Sequence, residues 1–506
     1  MPTNAANPNA QIKHVFVLML ENRSFDHMLG FAKITGTDAQ TGQPTAINGL
    51  DVPYSNSYLG VDYPVTKPAD WSMPYGPGHE LEDVLYQLSG YGAKFPPDKW
   101  YPDINMSGFV WDYVNSPSAG EGKAKDNYGE VLKCYDTPAQ LPILYTLACE
   151  FAVCDNWYSA LPGPTWPNRF FVHGATSHGL DDSPTTEQMA EWETLNGFKF
   201  DKGSIFQALA NKGLPSPWRI YGGKSQPLLG SIPCVAALDH VSELDCHHFE
   251  TFAYDVQRDY PYFYTFIEPN YGDVSNNSYF GGQSQHPRDD VRYGEALIKE
   301  VYETLRNSHL WENSLLIITY DEHGGFYDHV VPPKTVAPGD DSRYNLHGFD
   351  FEQLGVRVPA VVISPYIPKN TIDHSVYDHS SIPATLEALA ELEPLTNRDA
   401  AANNLTSLLS LPEPRSDTPA VLPMPAGDDA VADAKIAAPA ASAPNKAIAP
   451  GNLPAFLFTA AKLDNSMSKT TNTKAVFANS RAIQTHGDAH DYLTSVADKL
   501  SKHKKP

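Results

Sequence analysis

Two stretches of this sequence place oxygen-bearing side chains directly after an apolar run that is typical of a buried strand. The runs are His14–Leu20, which leads into "ENRSFDHMLG", and Ser314–Tyr320, which leads into "DEHGGFYDHV". The side chains that follow them are Glu21, Asn22, Asp321 and Glu322. If the two strands are neighbours, three carboxylates meet at one place, where their repulsion raises their pKa values unless a cation lies between them. The pattern therefore predicts a divalent metal centre.

Two glycines and two arginines bear on that prediction. Gly324 and Gly325 follow the second acidic pair, and glycine lets the backbone approach a neighbouring segment closely. Arg23 and Arg292 could compensate the carboxylates in place of a metal ion. An acidic residue after a strand is also often only the N-cap of the next helix. A structural interpretation therefore stays open, although two such pairs in one chain favour the metal centre.

A candidate nucleophile lies in the stretch "LPGPTWPNRFFVHGAT". Thr165 follows a Gly/Pro-rich turn and precedes a segment with helical spacing. A hydroxyl at a helix N-terminus faces free N–H groups and the positive end of the dipole, which suits a phosphate group. Coordination to a metal ion would make this hydroxyl nucleophilic. The same local sequence also fits a threonine that merely caps the helix.

Histidines in polar loops could supply proton transfer or phosphate contacts, because an imidazole changes its charge near neutral pH. The candidates are His79, His247, His248, His286, His323 and His379. Each one alone is also typical of a surface or capping histidine. The sequence therefore offers a set of candidates and no unique assignment.

Composition limits the possible partners. The chain has 506 residues, 42% of them hydrophobic, which is enough for a sizeable core. Its formal net charge of −24 argues against nucleic acid or an anionic membrane surface as a simple electrostatic partner. A phosphate-bearing substrate would need a local cation, and a metal ion would supply one.

The N-terminus and the cysteines leave the cellular compartment open. Residues 1–20 lack a charged segment followed by a long apolar one, and Val15–Leu20 is too short to span a membrane. Any export would use another route or follow earlier processing. The five cysteines form no C-x-x-C pattern and cannot all pair within one chain. A disulfide such as Cys234–Cys246 and fully reduced thiols are both compatible with the sequence.

Strands alternate with helices over the first four hundred residues. The spacing of apolar residues predicts a helix over Asp289–His309 and a further strand over Val358–Ser364. Apolar strands that alternate with helices indicate an α/β fold with a mostly parallel central sheet covered by helices on both faces. Residues 35–130 show little periodicity, so we expect long loops or a small cap over the sheet.

The sequence changes character after Leu411. We expect a catalytic domain over 1–411, an Ala/Pro-rich linker over 412–454 and a C-terminal helical segment over 455–506. "AFLFTAAKL" and "HDYLTSVADKLSKHKKP" within the last part have helical spacing. This tail is interpreted as an appendage that docks, oligomerises or binds a delivery partner, or as a loosely packed helix pair.

Five segments together resemble the bacterial phospholipase C and acid phosphatase family, a branch of the alkaline-phosphatase-like superfamily. They are "VFVLMLENRSFDHMLG", "GPTWPNR", "GGQSQHPRDDVRYGEALIKEVYETL", "ITYDEHGGFYDHVVPP" and "GVRVPAVVISPYI". The resemblance spans about residues 12–390, and its first and fourth segments are highly specific. It implies an alkaline-phosphatase-like α/β fold and hydrolysis of phosphoric esters.

The resemblance also implies roles for individual residues. The metal ligands would be Glu21, Asn22, Thr165, Asp321 and Glu322, with His379 near a histidine that binds a second metal elsewhere in the superfamily. Thr165 would form a phosphoryl-enzyme intermediate. His79 and His286 would contact the phosphoryl group or protonate the leaving group, and the implied substrate contacts are His247, His248 and His323. Zinc is the first choice of metal, although an all-oxygen set would also suit Mg²⁺, Mn²⁺ or Ca²⁺.

The implied activity is that of a phospholipase C that cleaves phosphatidylcholine or another glycerophospholipid to diacylglycerol and a phosphorylated head group, with transient contact to a membrane surface. The alternatives are a broad acid phosphatase and a metal-binding toxin or scaffold without turnover. The chain lacks the twin-arginine signal of many relatives, and its linker and tail replace their longer β-rich C-terminal region. We expect a secreted or extracytoplasmic protein, and a cytoplasmic one stays compatible with the sequence.

Overall fold

The structure is a computed structural model that describes residues 8–97, 101–116, 127–223, 232–242, 245–275, 278–427, 444–448, 451–467 and 482–503. Its strands are β1 (His14–Leu20), β2 (Thr35–Asp38), β3 (Pro44–Ala46), β4 (Ser55–Tyr58), β5 (Val61–Pro64), β6 (Ala152–Cys154), β7 (Trp218–Gly222), β8 (Cys246–His248), β9 (Tyr264–Ile267), β10 (Ser314–Tyr320), β11 (Ala360–Ile363) and β12 (Thr371–Asp373).

The helices that surround these strands are α1 (Phe25–Leu29), α2 (Leu81–Ser89), α3 (Phe109–Asn115), α4 (Thr137–Gln140), α5 (Pro142–Glu150), α6 (Thr165–Gly174), α7 (Thr186–Leu195), α8 (Ile205–Asn211), α9 (Phe252–Val256), α10 (Val291–Arg306), α11 (Ser381–Ala390), α12 (Asn397–Ala401), α13 (Asn452–Met467) and α14 (His486–His503).

Ten strands form one sheet in the order β3-β2-β12-β6-β11-β10-β1-β9-β7-β8. The five consecutive strands β10, β1, β9, β7 and β8 run parallel to one another, which confirms the predicted mostly parallel α/β architecture. The strand predicted at Val358–Ser364 is β11, and it runs antiparallel to β10 and β6. No α-helix lies between residues 321 and 359, a fully described segment, so a helical crossover that would allow a parallel return is missing there.

The central strands bring their carboxyl ends to one edge of the sheet. β1 pairs with β10 so that Leu20 lies opposite Tyr320, and β1 pairs with β9 so that Leu18 lies opposite Ile267. Both long strands are buried on both faces, except for the partly exposed His14, which explains their continuous apolar sequence. The residues that follow β1 and β10 therefore meet at one place.

The C-terminal helices, for which docking was one of the expected roles, pack into the main core. Phe456 of α13 is 1% exposed, and its ring lies 5.6 Å from Trp166 and 5.3 Å from Tyr271. α14 is joined to α13 through an ion pair of 2.7 Å between Lys499 and Asp464. Helical spacing predicted these helices correctly, but spacing alone carries no information about the surface that a helix covers.

The first part of the predicted linker runs along α10. Lys299 donates to the carbonyl oxygen of Leu422 at 2.7 Å, and the hydroxyl of Tyr302 donates to that of Pro419 at 2.7 Å. Residues 428–443 and 449–450 of the linker lie outside the described residues. All five cysteines are free thiols. Within the described ranges, no helix combines the length and the apolar character that a membrane span requires.

Replacing Phe456 with alanine should destabilise the whole catalytic domain. Removal of a buried phenylalanine costs about 3–5 kcal/mol. We expect a lower midpoint of urea unfolding in a single transition, followed by circular dichroism. Ser495→Ala, on an exposed position of α14, is the matched control and should unfold like the wild type. A Phe456→Ala midpoint equal to that of the control would contradict the packing of α13 into the core.

Candidate active site

The site begins with the two strand ends. Oδ1 of Asp321 accepts hydrogen bonds from the backbone N–H groups of Asn22 at 2.9 Å and of Glu322 at 2.7 Å. These residues and Glu21 are fully buried. The structure thus brings together the four residues that the sequence predicted to meet after β1 and β10.

Backbone conformation allows the two motifs to approach. Asn22 has a φ of 56°, in the left-handed region that asparagine tolerates better than most residues. Gly324 has a φ of 66°, and a Cβ atom at this position would lie 2.2 Å from the carbonyl oxygen of Asn22. A Cβ atom at Gly325 would lie 2.5 Å from the carbonyl oxygen of Gly78. The close backbone approach predicted for the two glycines is therefore confirmed.

Thr165 is the first residue of α6 and points at the first motif. Its hydroxyl donates to Oδ1 of Asn22 at 3.4 Å, the long end of the hydrogen-bond range. The N-cap of α6 is Pro164, and no side chain caps this helix end. The alternative of a capping threonine is therefore not realised, and the hydroxyl belongs to the site.

Arg169 is a site residue that the sequence analysis missed. Its Nε donates to Oδ2 of Asp321 at 2.9 Å, and a terminal nitrogen donates to the carbonyl oxygen of Leu20 at 3.1 Å. It lies four residues after Thr165, so both side chains share one helix face, a signal present in "GPTWPNR". The arginines that were considered instead are engaged elsewhere: Arg23 donates to the carbonyl oxygen of Gln285, and Arg292 pairs with Asp290.

A fourth carboxylate, also missed, follows β9. The side chain of Glu268 accepts from the backbone N–H groups of Cys234 at 2.7 Å and Val235 at 2.9 Å, and its Oε2 lies 3.8 Å from Arg169. The sequence signal was the same as for β1 and β10, because "YTFIE" is another buried strand that ends in an acidic residue.

Several buried oxygen atoms of the site make no hydrogen bond of normal geometry, although the Ser284 side chain lies close enough to Glu21 to act against the rise in its pKa. They are both carboxylate oxygens of Glu21 and Oε1 of Glu322. Burial, together with the negative charge of Asp321, raises the pKa of Glu21 well above its usual value. Burial also raises the pKa of Glu322, to about 8. Unpartnered buried carboxylate oxygens are the donors that a divalent cation takes, so the residues present fit the predicted metal.

The two best histidine candidates lie near each other. The rings of His79 and His286 are 6.5 Å apart. The carbonyl oxygen of Pro77 lies 3.2 Å from Nδ1 of His79, so this nitrogen carries the hydrogen and Nε2 is available for proton transfer. His79 also acts on Glu322, because its charge opposes the rise in the pKa of that carboxyl.

His286 is held in a different state. The backbone N–H of Arg288 donates to Nδ1 of His286 at 3.4 Å, so Nε2 carries the hydrogen. Its ring stacks on Tyr279 at 3.4 Å, and Asn452 of α13 donates to the Tyr279 hydroxyl at 3.1 Å. Burial, together with the charges of His79 and Arg23, lowers the pKa of His286 well below its usual value. His286 is therefore a neutral hydrogen-bond donor.

The structure gives His323 and His379 supporting positions. Nε2 of His323 forms a hydrogen bond of 2.7 Å with Gln87, and burial lowers the pKa of His323 to about 3. His323 therefore supports its own loop, although a substrate contact was expected. Nε2 of His379 bonds to the carbonyl oxygen of Asp321, and its Nδ1 accepts from Trp157 at 3.3 Å. Since both ring nitrogens are occupied, His379 holds the backbone of Asp321 and offers no lone pair to the expected metal.

His247 and His248 are not brought to the site. They lie on β8 at the edge of the sheet, and β7 and β9 separate them from β1. His247 contacts Arg219 at 3.2 Å. The expected substrate contacts failed here because the sequence gives no strand order, so an edge strand could not be distinguished from a central one.

Two groups of ligand-type side chains converge to within 4.8 Å in the described chain, and the carboxylates of Glu21, Asp321 and Glu322 do not form such a group. One consists of Asp26, Asp328 and His329, and the other of His178, Asp201 and Asp341. In the first group both aspartates pair with Arg357, at 3.0 and 2.9 Å, so one guanidinium already neutralises part of the negative charge of this group. Neither group contains a residue that the sequence predicted as a ligand.

Comparison with known proteins decides the family. The family model described as "Phosphoesterase family" matches residues 12–393, which includes every motif of the site. The chain belongs to the phosphoesterase family. This phosphoesterase is a phosphoric ester hydrolase.

Its relatives are phospholipases C by name. The phosphoesterase is 36% identical to non-specific phospholipase C6 of Arabidopsis thaliana, over 81% of this chain and 75% of that protein. It is 34% identical to non-specific phospholipase C3 of the same plant, over 81% and 76%. Phospholipase C B of Mycobacterium tuberculosis is 28% identical over 80% and 78%. A solved alkaline phosphatase superfamily protein from Vibrio parahaemolyticus aligns at 14% identity over 55% of this chain and 64% of that protein, with a TM-score of 0.29.

In the presence of a metal chelator, the phosphoesterase should lose stability as the pH rises from about 5 to about 8. The pKa of Glu322 is about 8 in the folded protein against 4.5 for an ordinary glutamate. A raised pKa stabilises the folded state only while the carboxyl is protonated, so this contribution is complete below about pH 4.5 and is lost as the pH rises through about 8. The unfolding midpoint in urea, measured with chelator at several pH values, should fall less steeply in Glu322→Gln.

The matched control is Glu413→Gln, which changes an exposed carboxylate and should keep the wild-type slope. Equal slopes for wild type and Glu322→Gln would contradict the raised pKa. At pH 8, a divalent cation should restore more stability to the wild type than to Glu322→Gln, because the variant lacks one of the charged donors.

Proposed function

We propose that this phosphoesterase is a metal-dependent phospholipase C that cleaves glycerophospholipids, such as phosphatidylcholine, to diacylglycerol and a phosphorylated head group. The observation that carries the proposal is the Thr165 hydroxyl, which is bonded to Asn22 beside buried carboxylates with unpartnered oxygens. The names of the relatives support a phosphodiester of a lipid as the substrate. Zinc is the proposed metal.

Thr165 reacts as the alkoxide, after its hydroxyl proton has passed to solvent. In the first step Oγ1 attacks phosphorus, and the bond from phosphorus to the diacylglycerol oxygen breaks. Asn22 orients the hydroxyl, and the first N–H groups of α6 face the phosphoryl oxygens. A divalent cation held by Glu21, Asn22, Asp321 and Glu322 would supply a Lewis acid that lowers the pKa of the threonine hydroxyl. The product of this step is phosphothreonine.

The two histidines divide the remaining work. His79 acts as the imidazolium, with its Nδ1–H held by the carbonyl oxygen of Pro77, and it donates its Nε2 proton to the departing alkoxide. In the second step the same nitrogen accepts a proton from the water that attacks phosphothreonine, and the bond to Thr165 breaks. His286 is neutral, and its Nε2–H donates a hydrogen bond to a phosphoryl oxygen in both steps without transfer of the proton.

Replacing Thr165 with alanine should abolish turnover, because the proposed nucleophile is removed. We expect a loss of about a thousandfold or more in kcat. The assay compares p-nitrophenylphosphorylcholine with p-nitrophenyl phosphate, for protein as isolated, after chelation, and after addition of Zn²⁺ or Mn²⁺. Thr165→Ser is the matched control and should retain activity, because serine keeps the hydroxyl.

Wild type should prefer the diester and regain activity with metal. Preference for the monoester would favour an acid phosphatase instead. Turnover by Thr165→Ala equal to that of the wild type would rule out Thr165 as the nucleophile. Tight metal binding without turnover of either ester would favour a metal-binding scaffold.

Replacing His79 with glutamine should slow the phosphorylation step only for substrates with a poor leaving group. A general acid contributes about 10²- to 10⁴-fold when an alkoxide departs, whereas p-nitrophenolate leaves without protonation. We expect a large fall in kcat/KM, which reports the phosphorylation step and not the later hydrolysis of phosphothreonine, on short-chain, monomeric phosphatidylcholine, and a small one on p-nitrophenylphosphorylcholine. His286→Gln, which removes a hydrogen bond to the phosphoryl group, should slow both substrates. Equal losses on both substrates in His79→Gln would rule out its role as the acid.

A further inference from the structure

The region expected as a loop-rich cap contains a small folded unit, which we call the cap: the β4–β5 hairpin, α2 and α3. The side chain of Asn56 on β4 donates to the carbonyl oxygen of Met106 at 2.8 Å and accepts from the N–H of Val110 at 3.0 Å. The cap shares a small apolar core with Phe326 and Tyr327, which follow the second motif. The hairpin is therefore attached to the edge of the sheet that carries the active site.

The tip of the hairpin is apolar and exposed. Tyr58 lies opposite Val61, so Leu59 and Gly60 form a two-residue turn, with φ values of 50° and 78°. A turn with positive φ at both central residues favours Asn-Gly, and leucine there is unfavourable. Leu59 is nevertheless 84% exposed and Val61 53%. Leucine at this position contributes nothing to the turn or to the core of the described chain, so we infer that it serves a contact outside the molecule.

An aromatic pair lies beside the hairpin on the same cap. Tyr91 is 72% exposed, and its ring lies 4.3 Å from that of Trp111 on α3. The side-chain amide of Asn115 donates both to the carbonyl oxygen of Trp111 at 2.8 Å and to the hydroxyl of Tyr58, next to Leu59, at 3.2 Å. Tyrosine and tryptophan beside aliphatic side chains are typical of the boundary between water and lipid.

We propose that the cap docks on the surface of a zwitterionic phospholipid bilayer, with Leu59 and Val61 inserted between the head groups. The proposal rests on the proposed function, because its substrate is then a component of the bilayer. The cap is continuous with the site, since the ring of Phe109 on α3 lies 6.2 Å from that of His323. The net charge of −24 opposes anionic lipid, so insertion of apolar side chains drives the contact.

The double variant Leu59→Asn/Val61→Ser tests this docking. Asparagine before Gly60 is the preferred turn residue, so the hairpin should fold at least as well as in the wild type, which thermal unfolding checks. Flotation with phosphatidylcholine vesicles measures binding without turnover. We expect the partition constant to fall about a hundredfold, because each of the two inserted aliphatic side chains contributes about a factor of ten. Val421→Ser, which changes an aliphatic residue of similar exposure outside the cap, should float like the wild type.

Activity separates docking from chemistry. In the double variant, turnover of phosphatidylcholine in vesicles should fall with binding, while turnover of p-nitrophenylphosphorylcholine stays unchanged. Equal flotation of the double variant and the wild type, or no flotation of the wild type, would overturn the docking proposal. Stronger binding to vesicles that contain phosphatidylglycerol, without dependence on Leu59, would also overturn it. Flotation that depends on Leu59 in a protein without diester turnover would instead reject the proposed function and leave the docking intact.

A second measurement reports the position of the tip. Leu59→Trp places an indole at the turn, and its fluorescence should be quenched by phosphatidylcholine brominated on the acyl chains. Wild type, with its own tryptophans, provides the background. Quenching no greater than that background would show that the tip stays in water and would overturn the proposal. A soluble protein captured at the tip, with no quenching by lipid, would point to a protein partner instead.

Discussion

A single buried guanidinium organises the active site. Arg169 bonds to Asp321 after β10 and to the carbonyl oxygen of Leu20 at the end of β1, and it faces Glu268 after β9. Since Thr165 lies one turn earlier on α6, the same contacts that anchor the arginine set the position of the hydroxyl. A buried ion pair is costly to form and costly to break. The relative position of three strands and one helix is therefore fixed by groups whose separation would leave charges unpaired.

This arrangement leaves an excess of negative charge. Glu268 is satisfied by two backbone N–H groups, and Asp321 by Arg169 and by backbone donors. Glu21 and Glu322 keep unpartnered oxygens in a dry environment, and the rise in their pKa values is the response of carboxyl groups to that situation. The protein thus relieves one part of the repulsion itself and leaves the other part for a cation. Gly324 contributes because only a residue without a side chain lets the second motif reach Asn22.

Much of this could be predicted from local sequence. β1 and β10 are found where continuous apolar runs placed them, and the two acidic pairs meet because parallel neighbours end at one edge. Local sequence contains neither strand order nor the partner of a helix face. For that reason His247 and His248 were assigned to a site that lies three strands away. The surface on which α13 docks could not be named either, although Phe456 covers Trp166 beside Thr165. Arg169 and Glu268 had usable signals, a helical spacing and a strand ending, which become decisive only when the neighbouring strands are known.

The cap, the region with the least periodicity, sets the hydrogen-bonding state of His323 and holds the backbone beside His79. The amide of Gln87 on α2 donates to the carbonyl oxygen of Gly78 and to Asp112, both at 2.7 Å. Because these partners take the N–H groups, its oxygen must accept from His323, which fixes the tautomer of the residue next to Glu322. The same amide holds the backbone beside His79. Movement of α2 away from the sheet would leave buried polar groups unpaired on both sides, so the cap and the metal motifs form one unit. The conformation of a segment without a strong secondary-structure signal can therefore be as well defined as that of the sheet. Polar contacts between residues far apart in the sequence define it, and no repeating sequence pattern is needed.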